Sequence, residues 1–325
     1  MAYGSKTSAL SRLAGNGAAI IALVYVVLFS IYAVSEPTAL SLFSITNLVN
    51  NFVPLALAAA GQTLIVLLAG FDLSVAGVIS LTNVVLAVTP LEGPLGALAG
   101  LAIALAIGGV AGSINGLLVA YLRIQSIAAT LGTMIVLKGV ALLILSAPGG
   151  WISDWIVYEL TDVAFGLVPI SGLILLAVAG VWLALKRTDF GAAIYAVGED
   201  ETSASLSGIN TRLTKFKSYC LAGMFYGLAG YMLSAQTATG NPNAGEPFLL
   251  LCFASVAIGG TSFSGGRGGM IGSIIGAATL LLMQKVLFST GVSSFYTGMF
   301  QGAVMIAAVV FAAAMLRVSI RKGAA

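Results

Sequence analysis

The sequence predicts an all-α, polytopic membrane protein: one transmembrane domain over residues 1–325 with about ten transmembrane helices. Three observations lead there. Apolar residues make up 59% of the chain and charged residues only 8%, for a mean hydropathy of +1.07, against about 25% charged in an average soluble domain. The apolar residues run from Gly17 to Leu316 without a polar stretch long enough to be a soluble domain. The fourteen Lys and Arg sit in small groups at the ends of apolar runs, the pattern of bilayer orientation and not of a nucleic-acid surface.

A spanning helix needs roughly 20 mostly apolar residues, and charged, proline and polar breaks divide the chain accordingly. The first expected core is Gly17–Val34, which follows Lys6 and Arg12 and is longer than a signal-peptide core. Asn51–Leu68 ends before Asp72. Val75–Val88 is short and ends before Pro90, and Leu95–Tyr121 stops at Arg123. Ile127–Leu145 ends before Pro148, Gly166–Leu185 ends at Lys186, and Ser218–Ala235 begins after Lys217. Phe248–Ile258 lies between Glu246 and a glycine pair, Met270–Phe288 follows a glycine-rich turn, and Phe295–Leu316 ends at Arg317. If Lys6 and Arg12 are cytoplasmic, alternation puts Arg123, the segment 186–217, Arg267 and the tail Arg317, Arg321 and Lys322 on that same side. The acids Glu36, Glu92, Asp154, Glu159, Asp162 and Glu246 then fall opposite, giving ten spans with both termini inside by the positive-inside rule. Lys138 and Lys285 fall inside spans, where a charge costs about 2.5–3.5 kcal/mol; Lys285 is expected to snorkel, and Lys138 either snorkels or lines a pathway.

Gly108, Gly112 and Gly116 recur at a fixed offset as Gly268, Gly272 and Gly276, with Ser113-Ile114 matching Ser273-Ile274. Two readings fit: separate small-residue packing faces, or a duplication whose five-helix offset makes a 5+5 inverted repeat, as transporters use.

Several chemistries are excluded. The chain has no His, so His-based triads and HExxH zinc sites are absent. No Gly-Lys dipeptide occurs, so there is no P-loop. Gly265–Gly272 misses the dinucleotide fingerprint by one position. No carboxylate pair lies within the apolar spans, which argues against an ion-driven carrier. Cys220 and Cys252 lie in apolar runs and read as small buried hydrophobes. Energy is expected to come from another subunit, and the chain is not expected to be an enzyme or to bind a cofactor or metal.

The polar segment of about 187–213 is the most informative. Within it Asp200–Ser207 reads as a short helix with acids at its start and Gly208 at its end, a form that suits docking of a soluble partner. This loop resembles the coupling loop of permease subunits of bacterial ABC importers of the ribose, xylose and autoinducer-2 class. Gly70-Phe71-Asp72-Leu73-Ser74-Val75 is similar to a signature of that family. So are Ser113–Val119 with Ala129–Met134, and Ile258–Gly268. Gly70-Phe71 and Val75-Ala76 stand where Gly-Ile and Val-Gly are more usual, and Ser203 and Ser205 where small or basic residues are common.

The resemblance implies a transmembrane subunit that passes a sugar or polyol delivered by a periplasmic binding protein across the bacterial inner membrane. It implies a second permease copy, identical or closely related, and an ABC ATPase, fused or paired, which carries the ATP and Mg. Asp200, Glu201, Ala204, Leu206 and Gly208 are the expected coupling residues. Asp72 and Ser74 are expected to cap the third helix. The uncharged polar residues inside spans are candidates for the pathway or for interhelical hydrogen bonds: Gln62, Thr63, Asn83, Ser113, Asn115, Thr130, Thr133, Gln236 and Gln301. Alternative readings are a branched-chain amino-acid permease of the same kind and an ion-coupled secondary carrier.

Overall fold

The computed structural model describes residues 17–89 and 91–291, with residues 296, 299, 302 and 303. The tenth expected span, Gln301, both terminal basic clusters and the tail lie outside the described residues. Nine of the expected apolar segments form helices. In chain order these are α1 (Gly17–Ser35), α2 (Leu42–Leu67), α3 (Val75–Val88) and α4 (Gly93–Gly116), which runs into a π-helical turn at Leu117–Tyr121. Then follow α5 (Ser126–Ile144), α6 (Asp154–Thr161), α7 (Ile170–Leu185), α8 (Asp189–Glu199), α9 (Glu201–Leu206), α10 (Thr211–Thr237), α11 (Glu246–Ile258) and α12 (Met270–Ser289). Five helices (α1, α2, α4 with its π turn, α5 and α12) are long and apolar enough to cross a membrane. Counting α7 and α8, which meet at a 78° bend, makes six. The chain is a multi-pass helical membrane protein.

Helix α10 is the hub. It packs most extensively on α4, then on α2 and α3, and its Tyr219, Tyr226 and Ser234 are buried. Its surroundings are protein, so it needs less apolar character than a helix facing lipid. The α4–α10 contact is made backbone to backbone. A Cβ on Gly108 would sit 2.0 Å from the Gly223 carbonyl oxygen, and one on Gly227 would sit 2.0 Å from that of Ala104. Only hydrogen fits there, which lets the helices approach as small-residue membrane interfaces do. Gly272 and Gly276 play the same part against α11, with Cβ positions 2.1 Å from the Gly259 oxygen and 2.3 Å from that of Ser255. Gly268 differs from its expected counterpart Gly108: it lies in the turn before α12, at φ +116°. Helix α1 packs on α12 at the edge, where Tyr32 and Leu282 cluster with Leu48 of α2, and leaves most of its surface exposed.

Two segments depart from expectation. The span expected from Gly166 begins only at Ile170, because Val163–Ala164 and Val168–Pro169 pair as a small antiparallel hairpin. Phe165 and Gly166 supply its positive-φ turn. The polar 149–162 stretch also holds a short helix, α6, with Asp154 in the first turn where the helix dipole favours an acid.

The bundle ends are sewn separately. At one end Trp151 N donates to Ala87 O (3.0 Å), Gly149 and Gly240 bridge, and Asn50 Nδ2 donates to Thr161 O (2.8 Å). At the other, the loop after α2, Arg123, the segment from α8 to the start of α10, and the turn before α12 come together. All the positive groups expected on one side, within the described residues, therefore share one end of the bundle.

Gly108→Leu and Gly223→Leu are expected to destabilise the protein by about 1–3 kcal/mol or more, as overpacking does. Gly180→Leu, whose added Cβ meets nothing within 4 Å, should leave the melting temperature in detergent nearly unchanged. Equal melting curves for all three would refute the close α4–α10 contact.

Candidate functional site

The site is built around the break between α2 and α3. Helix α2 ends at Leu67, and Ala69, at φ +56°, turns the chain away. Seven residues, 68–74, then run without helix before α3 begins. Their backbone groups need partners, since nothing in a membrane interior replaces lost helical bonds. Phe71 N donates to Ser126 Oγ (3.2 Å) and Leu73 N to Thr130 Oγ1 (3.0 Å), so α5 carries part of the break.

Asp72 is fully buried, and its Oδ1 accepts from Ser74 N (2.9 Å) and Ser74 Oγ (2.6 Å). The carboxylate thereby satisfies the exposed N–H at the start of α3, where the dipole favours negative charge. Ser74 supplies the N-cap position but makes no side-chain cap bond of its own. Its hydroxyl instead accepts from Asn115 Nδ2 (2.8 Å), and Asn115 Oδ1 accepts from Thr133 Oγ1 (2.6 Å). One chain of hydrogen bonds, Asp72–Ser74–Asn115–Thr133, thus joins the break to α4 and α5.

The other candidates within spans also lie inside. Thr63 Oγ1 donates to Ser273 Oγ (2.7 Å), and Gln62 Oε1 accepts from Tyr226 OH (3.0 Å). Asn83 Nδ2 donates to Ser234 Oγ (2.9 Å), while its Oδ1 accepts from Asn241 N (2.6 Å). Gln62, Thr63, Asn83, Asn115 and Thr130 have no exposed surface. Gln236 is half-buried and bonds Asn51; Ser113 is half-buried as well. In this chain the fully buried set ties helices together. Lys138, which hydropathy left without a partner, pairs with Glu246 at the start of α11.

The expected coupling segment is a helical elbow. Thr188 caps α8 by accepting from Gly191 N (3.3 Å), so residues 189–199, read from sequence as loop, form a helix as well. Asp200 caps α9 by accepting from Ser203 N. That bond holds its carboxyl below the usual carboxylate range, so the cap is in place at neutral pH and is lost as pH falls through the lowered value. Gly208, at φ +86°, follows the end of α9. Ala204 faces inward, Glu201 pairs with Lys215 (2.5 Å), and Leu206 is 86% exposed.

The elbow is seated on the break. A Cβ on Gly198 would lie 1.7 Å from the Leu67 carbonyl oxygen, the tightest approach at any glycine among the described residues. The same oxygen accepts from Gly266 N (2.9 Å), and Tyr195 OH donates to Gly268 O (2.9 Å). Glu199 and Arg267 add a surface ion pair (3.2 Å), worth little by itself. Trp182, at the end of α7, packs beside Tyr195. The role of Gly198 escaped sequence reasoning, because a lone glycine in a polar segment carries no mark of the carbonyl it must approach.

The family model described as "Branched-chain amino acid transport system / permease component" matches residues 44–309. The chain belongs to this permease family. The ribose import permease protein RbsC of Escherichia coli (strain K12) is 34% identical over 296 residues, 88% of this chain and 91% of that protein. The galactose/methyl galactoside import permease protein MglC of the same strain is 33% identical over 94% of this chain and 96% of its own length. The RbsC of Bacillus subtilis (strain 168) is 33% identical over 87% and 88%. No solved structure gives a significant match.

Asn115→Leu removes the buried donor to Ser74 Oγ and the buried acceptor for Thr133 Oγ1, and is expected to cost about 1–3 kcal/mol. Thr133→Val should cost a similar amount, and the double substitution less than the sum, as members of one network do. Additive losses in thermal unfolding of the purified protein would contradict a shared network.

Proposed function

We propose that this chain is the transmembrane permease subunit of an ATP-driven importer of a neutral sugar. The observation that carries the reading is the α8–α9 elbow. It is a capped helix presenting an exposed Leu206, held by the Gly198–Leu67 contact against the break after α2, which reaches α4, α5 and α10. A soluble ATPase gripping α9 has a short mechanical route to the helices that would bound a solute path. Relatives that import ribose and galactose, matched over most of their length, favour pentoses and hexoses as solutes.

In the same reading a binding protein delivers solute at the Gly149–Gly240 end, and a second permease copy completes the pathway. The chain crosses the inner membrane ten times, with both termini and the elbow cytoplasmic. ATP and Mg bind to the ATPase subunit, fused or paired. The glycine stripes of α4 and α12, each packed backbone to backbone on a neighbour, support a 5+5 inverted repeat. An amino-acid importer is the second reading, favoured by the description of the family model.

The double substitution Glu201→Arg and Leu206→Arg is expected to leave the amount of folded permease unchanged, because both side chains are exposed. It should lower solute-stimulated ATPase activity of the assembled transporter by roughly tenfold or more, as charge introduced into a small docking core does. Normal stimulation in that variant would remove α9 from the interface.

A further inference from the structure

Beside the elbow lies a cavity of about 590 Å³ that shares only Glu201 with the coupling residues. Its walls come from the break after α2, the turn joining α4 to α5, helix α9 and the start of α10. Three cations line it, Arg123, Arg212 and Lys215, against one carboxylate, Glu201. Lys215 is engaged by Glu201. Arg123 and Arg212 make no ion pair among the described residues, although all eleven carboxylates of the chain are among them. Two guanidinium groups therefore line the cavity with no ion-pair partner among the described residues.

Two hydroxyls add donors. Tyr219 also lines the cavity; it is 2% exposed and its hydroxyl has no hydrogen-bond partner, which is costly for a buried donor. Ser126 Oγ accepts from Phe71 N and keeps its own proton to give. Arg123 is held at φ +56°, a conformation a non-glycine residue adopts at some energetic cost. Leu122, 67% exposed, and Ile124, 40% exposed, flank it.

We propose that this cavity binds a phosphate-bearing anion, with Arg123 and Arg212 as the charge partners and Tyr219 as a buried hydroxyl donor. Guanidinium forks match phosphate oxygens in charge and geometry. The bound anion joins the start of α10, which follows α9 directly, to the α4–α5 turn, so its occupancy stiffens the elbow. The apolar flanks of Arg123 suit an anionic phospholipid headgroup with its acyl chains alongside α4 and α5. A free phosphate offers the same headgroup chemistry without the chains. The site stands on its own geometry and does not depend on which solute is carried.

The test uses the full chain in nanodiscs of phosphatidylcholine, with and without phosphatidylglycerol, and separately in detergent with added inorganic phosphate. Thermal unfolding and lipid retention by native mass spectrometry are the readouts. Phosphatidylglycerol should raise the melting temperature and stay bound, and Arg123→Gln with Arg212→Gln should weaken its retention roughly tenfold. Arg123→Lys with Arg212→Lys should keep part of it, which separates lost charge from lost folding. Stabilisation by inorganic phosphate alone, removed by the same Gln pair, would support the site with a soluble anion as its source. No stabilisation by either probe, or stabilisation unchanged in the Gln pair, would overturn the proposal. So would loss of ATPase-subunit binding in the Gln pair without any change in lipid or phosphate binding, because the cavity would then be part of a protein interface.

Discussion

The Leu67 carbonyl is the constraint on which the rest depends. It belongs to the last residue of α2, receives the Gly266 N–H (2.9 Å), and leaves room beside it only for the hydrogen of Gly198. Helix α2, the turn before α12 and the elbow thus converge on a single backbone atom. A membrane protein has few ways to anchor a polar segment to an apolar bundle, because every unpaired backbone group inside it is expensive. Here the cost is offset by letting the helix break donate and accept on all sides.

From that atom the break runs on through Asp72 and Ser74 to Asn115 and Thr133. The two ends of this route differ in character. At the elbow the contacts are surface ion pairs and a helix cap, which readily reorganise. At α4 and α5 they are buried hydrogen bonds, stiffer because no water competes for them. In the proposed reading, displacement at the elbow passes on as tilting of whole helices, the kind of motion packed elements allow.

Much of this was legible in the amino-acid order. Apolar runs bounded by charge placed nine helices, and the clustering of Arg123, segment 186–217 and Arg267 at one end follows from charge alternation alone. Asp200 and Gly208 marked the short helix between them because capping chemistry is local. What stayed hidden is what depends on distant partners. Nothing near Gly198 in the chain predicts the Leu67 oxygen, and Lys138 found Glu246 across more than a hundred residues. Helix α8 was hidden because Asp189–Glu199 mixes polar and apolar residues too evenly to stand out from a loop. The start of α7 was misplaced because a run of apolar residues says nothing of the hairpin at Val163–Pro169.

Uptake of labelled ribose and galactose into proteoliposomes holding the purified permease, its ATPase and its binding protein tests the central claim most directly. The account predicts accumulation that needs ATP and all three components, and none from a proton or sodium gradient across liposomes holding the permease alone. Gradient-driven uptake by the permease alone would contradict it.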